Sequence, residues 1–570
     1  MAAYTLEVTT GSMLHAGTFN NLFVTLIGTE RQSEPTQLTG LGLDEKPGKV
    51  GTYSVTTLFS LGCLLLLKLE KDPFHESPER DWFCSKIVVK TPEEYEILFP
   101  CHRWLSRGES VFLRGGRATK AFEDLHPRLL EQRKKELLQQ KITYKWSEYA
   151  DGMPYMLNIP NPRAVPTEIS YSQSKAFQFE SRRQNIGFVL KLKDLTDEPW
   201  ESFEAMKEFP WFKDSPLLEY VSQHWQDDDF FGYQFLNGAN PHSIQRCSTL
   251  PSNFPVAEEM VKPFLANGSS LTAEMKKGNI FITNYKIMDG LPTRVIDGKL
   301  AVLTAPLCLL YLNPEKKLQP IAIQTSLDVD GLIELFRRGF SQTNYSSLCL
   351  PENIADRGVE SIPNFHYRDD ALRLWRIINS FVKAVVAYYY PSDSEVAADS
   401  ELQEWINEIF YYGFLGNGDS GIPSSFQTVE ELIKFVTMVI FTSSVQHAVI
   451  GNAQFDFLAW IPNGPMMLNQ APPTTKGQSS VETIFATLAY KRFTAQSVSV
   501  LWLISRKYDD FTPLGTYPEQ RFDEPAVLQM IKDFQAELSS LSADISKRNS
   551  ELELPYYYLN PENIENSVAN

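Results

Sequence analysis

The stretch from Thr428 to Asp456, TVEELIKFVTMVIFTSSVQHAVIGNAQFD, constrains its part of the chain to a long helix. Thr428 followed by Glu431 forms a capping box, in which the hydroxyl and the carboxylate satisfy the first free N–H groups. Leu432, Val436, Val439, Ile440, Ser443 and His447 then keep helical spacing. At about 100° per residue His447 falls within roughly 20° of Val436 and Ile440, so the count places its ring on the buried side. No Asp or Glu stands within five residues of it. An imidazole in such a place either donates one N–H to a carbonyl as a core residue or ligates a metal. Spacing alone favours the first.

A chain of 570 residues exceeds one compact core and implies two or more domains. Its formal charge of −17 argues against a nucleic-acid partner, because phosphate binding needs clustered Lys and Arg. The same charge leaves any membrane contact to apolar side chains or a bridging cation. Cys63, Cys84, Cys101, Cys247, Cys308 and Cys349 are scattered without a CxxC pair, as expected of reduced thiols. No basic-then-apolar leader opens the chain, and the apolar runs Leu58 to Leu69 and Leu300 to Leu312 fall short of the ~20 residues a span needs. The expectation is a soluble, cytoplasmic protein. There is no GxSxG elbow and no P-loop, and Gly416, Gly418 and Gly421 fit GxGxxG only within a polar loop.

Residues 1 to about 116 read as all-β. Tyr4, Leu6 and Val8 alternate with polar residues, and Leu22 to Ile27, Leu64 to Leu69 and Lys86 to Lys90 are strand-like runs parted by turns. Seven or eight such runs predict a sandwich. From about 117 to 570 the pattern is mostly helical. His126 to Lys141 reads as a charged connector helix, Leu217 to Leu236 as an aromatic-rich helix, and Asp370 to Tyr390 and Leu402 to Phe414 as apolar helices. Phe522 to Ile545 carries a core stripe at alternating four and three spacing. Residues 276 to 326 have strand-and-turn character and predict a small sheet. Asp227 to Asp229 point to different helix faces and are expected to be a solvated end, not a metal site.

The run FTSSVQHAVIGNAQFDFLAWIPNGP resembles the segment of animal lipoxygenases, epidermal types included, that carries the third iron-binding histidine. YRDD (Tyr367 to Asp370), LCLPE (Leu348 to Glu352), QFLNGANP (Gln234 to Pro241), LGTYPE (Leu514 to Glu519) and LPYYYLNPENIENSV (Leu554 to Val568) resemble the same family, in the same order. DWFCSKIVVKTP and FPCHRWL resemble its N-terminal PLAT domain. The resemblance implies a PLAT-like β-sandwich over 1–116 and a mostly α-helical lipoxygenase domain with a small β subdomain over 117–570. It also implies one non-haem iron, a polyunsaturated fatty acid such as arachidonate as substrate with O₂, and peripheral membrane contact. In the family a ferric hydroxide removes hydrogen between two cis double bonds, and iron carries the hard step.

Family iron is held by three histidines, a side chain one helical turn past the third, and the C-terminal carboxylate. Carried onto this chain, His447 is the third histidine, Gly451 takes the variable position, and Asn570 replaces the terminal isoleucine. IAIQTS runs straight into LDVDGLIELFRRG at Ser326 and Leu327, where the family has a long helical segment supplying an H-x₄-H pair. The eight histidines of this chain, His15, His75, His102, His126, His224, His242, His366 and His447, form no such pair. Loss of that segment is expected to strip apolar faces of their partners. In the PLAT domain Gly17 matches a calcium-loop position, while His15, Thr39 and Arg80 stand where relatives offer Gly or Asp, so Ca²⁺ is expected to lack ligands. Trp82, Phe83 or Trp104, if exposed, would insert into lipid; for Trp104 packing in the sandwich is expected.

Three readings remain open at this stage. The chain is an oxidoreductase adding O₂ to polyunsaturated fatty acids, an iron-dependent hydroperoxide isomerase, or a non-catalytic lipid-binding product shortened by loss of two iron histidines. The third is the expectation for this chain.

Overall fold

In a computed structural model the protein is described over residues 1–12, 16–18, 21–38, 48–72, 81–116, 119–161, 165, 169, 173–192, 198–289, 295–296, 299–300, 305–324, 332–465, 467–473, 475, 477–517 and 519–566. The junction at Ser326 and Leu327, the terminal Asn570, and His15, Thr39 and Arg80 of the expected calcium loops all lie outside the described residues.

Eight strands build the N-terminal sandwich: Ala2–Thr10 (β1), Leu22–Gly28 (β2), Thr36–Leu38 (β3), Val50–Thr57 (β4), Leu64–Lys71 (β5), Trp82–Lys90 (β6), Glu96–Leu105 (β7) and Ser110–Arg114 (β8). They form two antiparallel sheets, ordered β4-β1-β6-β7 and β3-β2-β5-β8. In β1, Tyr4, Leu6 and Val8 face inward while their neighbours face water, as the period of two requires. Gly17 is buried.

The lipid-inserting role of Trp82 and Phe83 is overturned, because both are buried. Trp82 points into the sandwich and its indole N–H donates to the Thr10 hydroxyl at 3.1 Å. Phe83 takes the opposite face of the same strand. There Gly11 lies directly against the ring, close enough that a Cβ on it would fall 2.4 Å from Phe83 Cδ1, and Trp104 meets the ring edge-on at 5.4 Å.

The helical body begins at Pro127–Thr143 (α1), which is pinned rather than free. Arg133 donates to Asp124 at 2.6 Å and Glu401 at 2.8 Å, and the Asp124 side chain is almost fully buried. Such a buried, multiply bonded guanidinium fixes geometry in a way an exposed ion pair does not. Gln173–Leu192 (α2) follows. The single helix expected over Leu217 to Leu236 is two, Pro216–His224 (α3) and Asp228–Asn237 (α4). His224 Nδ1 and the Asp227 carboxylate, 2.7 Å apart, tie off the break, and Asp227 starts the second helix. Asp229 binds Lys317 and Gln319, so the acidic triplet is a helix start.

The small sheet consists of Ile244–Arg246 (β9), Ile280–Asn284 (β10), Leu307–Leu312 (β11) and Leu318–Gln324 (β12), in that order. After it come Leu332–Gln342 (α5), Leu350–Arg357 (α6), His366–Tyr389 (α7), Ser400–Glu408 (α8), Val429–Phe441 (α9), His447–Leu458 (α10), Lys491–Ile504 (α11) and Pro525–Ser550 (α12). Helix α7 packs against α9 and α12. Its neighbour α12 buries Val527, Phe534, Leu538, Leu541 and Ile545, the stripe read from the sequence. The chain end then turns back inward, burying Tyr556, Tyr558, Leu559 and Ile564.

The sandwich touches the helical body through Glu519, whose carboxylate accepts from Ser12 N at 2.6 Å, the Ser12 hydroxyl at 2.8 Å and the Ser85 hydroxyl at 3.0 Å. By length and composition one helix among the described residues, Val429–Leu458, would cross a membrane, a stretch missing from the sequence estimate of apolar runs. Half of its apolar window is buried in protein, as befits a core helix.

Candidate functional site

Helix α9 starts as read: the Thr428 hydroxyl accepts from Glu431 N at 3.2 Å, and the Glu431 carboxylate accepts from Thr428 N at 3.1 Å. Before His447, however, Thr442 to Gln446 form a π-turn. Thr442, Ser443 and Ser444 send their hydroxyls back to the carbonyls of Met438, Val439 and Ile440 at 2.9, 2.8 and 2.6 Å, and so compete with the α ladder. A π-turn inserts about one extra residue, which shifts the helical phase by roughly 100°.

Because the turn lies beyond Ile440, it changes the direction of His447 relative to the first part of the helix and leaves that first part in phase. The buried face is Leu432, Phe435, Met438, Phe441, Val445 and Val449. Val436, Ile440, Ser443 and His447 are half-buried, while Val439 and Ile450 are 37% and 38% exposed. The expected stripe is therefore buried at Leu432, packs against the edge of the core at Val436 and Ile440, and is exposed at Val439.

His447 lines a hollow of about 30 Å³ with Ser444, Gly451, Asn452, Arg506, Lys507, Asn563 and Glu565. Burial lowers the His447 pKa and keeps its ring neutral. Arg506 donates to Asp214 at 2.5 Å and stacks on Trp502 at 4.5 Å. Lys507 donates to the Asn563 amide oxygen at 2.8 Å. Glu565 is held by Lys175 at 3.1 Å; burial raises its pKa against the pull of that lysine. A Cβ on Gly451 would meet nothing within 4 Å, so the variable position is an open gap with no donor.

Asp456, nine residues on and across the helix, anchors the chain end to α10. Its carboxylate accepts from Ser215 at 2.6 Å, Tyr557 at 2.5 Å and Tyr558 at 2.6 Å. That clamp brings Asn563 and Glu565 beside His447.

The other described histidines are engaged elsewhere. His126 accepts from Arg128 N, His224 faces Asp227, and His242 sits 3.1 Å from the Tyr367 hydroxyl. His366 lies against Tyr556, and His102 is in the sandwich. Burial pushes His242 down to about 3 and His366 to about 4. His15 and His75 lie outside the described residues. Among the described residues no group of three or more His, Cys, Asp or Glu is placed to hold a metal.

A non-haem iron calls for several neutral or anionic donors converging on one point. Here one imidazole faces a guanidinium and an ammonium, and the nearest carboxylate is committed to Lys175. The described residues do not fit an iron ion. Arg506, Lys507, Asn563 and Glu565 were not singled out in the sequence. Only the C-terminal carboxylate that the resemblance places at the iron hinted at the last two.

The lipoxygenase family model matches residues 345–557 and the PLAT/LH2 domain model matches residues 4–114. The chain is 34% identical over 710 residues to hydroperoxide isomerase ALOXE3 of Rattus norvegicus and 35% identical over 675 residues to polyunsaturated fatty acid lipoxygenase ALOX15B of Homo sapiens, covering all of each. Among solved structures it is 27% identical to a LOX variant crystallised with arachidonate, with a TM-score of 0.92, and 27% identical to coral 8R-lipoxygenase, with a TM-score of 0.91, again over both chains entirely. The chain belongs to the lipoxygenase family and carries its N-terminal PLAT domain. The human alignment runs over 675 residues against 570 here, so at least 105 positions (675 − 570) have no counterpart in this chain.

Proposed function

We propose that this chain is a non-catalytic, lipid-binding member of the lipoxygenase family, cytoplasmic and peripheral at membranes, in which the iron centre is not assembled. The observation that carries the reading is the surrounding of His447: a single imidazole facing Arg506 and Lys507, with Gly451 donor-less. Two cations beside a would-be dication raise its energy, and among the described residues no second imidazole lies beside His447 to offset this. The at least 105 unmatched positions, and a family match beginning at Tyr345, downstream of the Ser326–Leu327 junction, support loss of the segment that holds the missing histidines in relatives.

The residues that remain do what a binding protein needs. Val439 and Ile450 leave apolar surface exposed on α9 and α10, and the Asp456 clamp holds the end segment with Tyr557 and Tyr558 against α10. With arachidonate and O₂ the purified protein is expected to produce no conjugated diene; a steady rise in diene absorbance would establish the dioxygenase reading instead. The hydroperoxide isomerase reading draws on the name of a 34% identical relative. Epoxyalcohol formed from a supplied fatty hydroperoxide would establish it.

A further inference from the structure

The seam between the sandwich and the helical body encloses an imidazole that the mechanism of neither part uses. Strands β6 and β7 slip register between the pairs Cys84–Arg103 and Lys86–Pro100, so Ser85 of β6 faces both Cys101 and His102 of β7. Such a bulge re-aims the side chain it carries. His102 sits in it at φ 48°, a left-handed conformation that a non-glycine residue keeps only where its surroundings hold it. Both of its ring nitrogens are buried, and neither has a hydrogen-bond partner among the described residues. Four charged groups act on the ring: Lys86 from β6, and Glu519, Arg521 and Asp523 from the segment that leads into α12. The two acidic groups among them also hold the seam. Glu519 accepts from Ser12 and Ser85, and Asp523 lies 3.8 Å from Lys86.

We infer that His102 makes this seam pH-sensitive: the docked sandwich encloses a neutral ring, and a proton on that ring releases the sandwich from the segment Glu519 to Asp523. A buried imidazole without partners favours its neutral form, because an imidazolium in the same place has two N–H donors and no acceptor. Burial lowers the His102 pKa from its usual 6.5, and Arg521 lowers it further; Glu519 and Asp523 pull it up, and Lys86 pushes it down. Neutral His102 therefore supports docking in full above pH 6.5, and that support is lost as the pH falls below this value. Release frees Ser12 and Ser85 from Glu519 and uncovers that face of β6. The device needs no iron and is independent of the function proposed above.

The test follows the Ser12 amide, whose N–H donates to Glu519 when the seam is closed. Residue-resolved hydrogen exchange of the full-length protein is measured at about pH 7.5 and pH 5.5 and corrected for the intrinsic rate at each. Protection at Ser12 should fall roughly five- to ten-fold between the two, the loss that one proton on an ordinary imidazole imposes. In His102→Asn the drop should vanish, since asparagine accepts the left-handed backbone and does not titrate there. His102→Gly, which also accepts that backbone, gives the same comparison if the asparagine variant fails to fold. Glu519→Gln should lower protection at both pH values, which shows that the amide reports the seam. Circular dichroism at each pH separates release of the sandwich from unfolding. An equal drop in the natural protein and in His102→Asn overturns the inference. So does protection that holds or rises in acid, or that is already lost at both pH values in His102→Asn.

Discussion

Replacing Asp456 by alanine tests how the chain end is held against the helix that carries His447. The native carboxylate accepts from Ser215, Tyr557 and Tyr558. The three donors do not lose equally. Ser215 still accepts from Leu218 N at 3.3 Å as the cap of α3, and Tyr557 is 37% exposed and can turn to water. Tyr558 is only 2% exposed, so its hydroxyl loses its charged acceptor out of reach of water and keeps only the Tyr557 hydroxyl beside it. A buried hydroxyl deprived of its charged acceptor costs about 1–3 kcal/mol and the lost charge-assisted bond at Ser215 about 1 more, giving roughly 3 kcal/mol in all. Asp456→Asn keeps an acceptor and should cost about 1 kcal/mol. Urea unfolding measures both, and limited proteolysis should cut between Leu554 and Asn566 faster in the alanine variant. A loss below ~1 kcal/mol for Asp456→Ala, with the tail still protected, would show that the clamp does not hold the chain end.

Asp370 is pushed up to about 6 by burial, against the pull of Arg548 at 2.7 Å. Its folded pKa lies above the usual 3.8, so its contribution to stability is present below that value and lost as pH rises through about 6. Relative to Asp370→Asn, the natural protein should lose roughly 3 kcal/mol between pH 4 and pH 7 in urea unfolding, and a pH-independent difference would refute this. Gly451→Ala should raise stability by about 0.5–1 kcal/mol in thermal denaturation, because its Cβ meets only open space in mid-helix. Trp82→Ala should cost the sandwich about 3–5 kcal/mol, since the ring is fully buried, without selectively weakening vesicle binding in sedimentation.

Much of the fold was legible because period and capping act locally. Alternation in Tyr4, Leu6 and Val8 gave a strand, Thr428 and Glu431 gave a helix start, and the four-and-three spacing to Ile545 gave a core stripe. The site was legible only in part, because its geometry depends on breaks in regularity. Three hydroxyls at Thr442, Ser443 and Ser444 shift the helical phase, and a count of 100° per residue carries no sign of it. Trp82 and Phe83 read as candidate surface aromatics because a lone strand cannot show that Gly11 and Trp104 pack against its second face. Arg506 and Lys507 fit no motif; they matter only because α11 ends beside α10.

The donor set around His447 is tested most directly by metal analysis of the protein. Protein produced in iron-supplemented medium and purified without chelators should hold well under one iron per chain, with no change when His447 is replaced by alanine. One iron per chain, lost in His447→Ala, would show instead that the centre is assembled on this histidine.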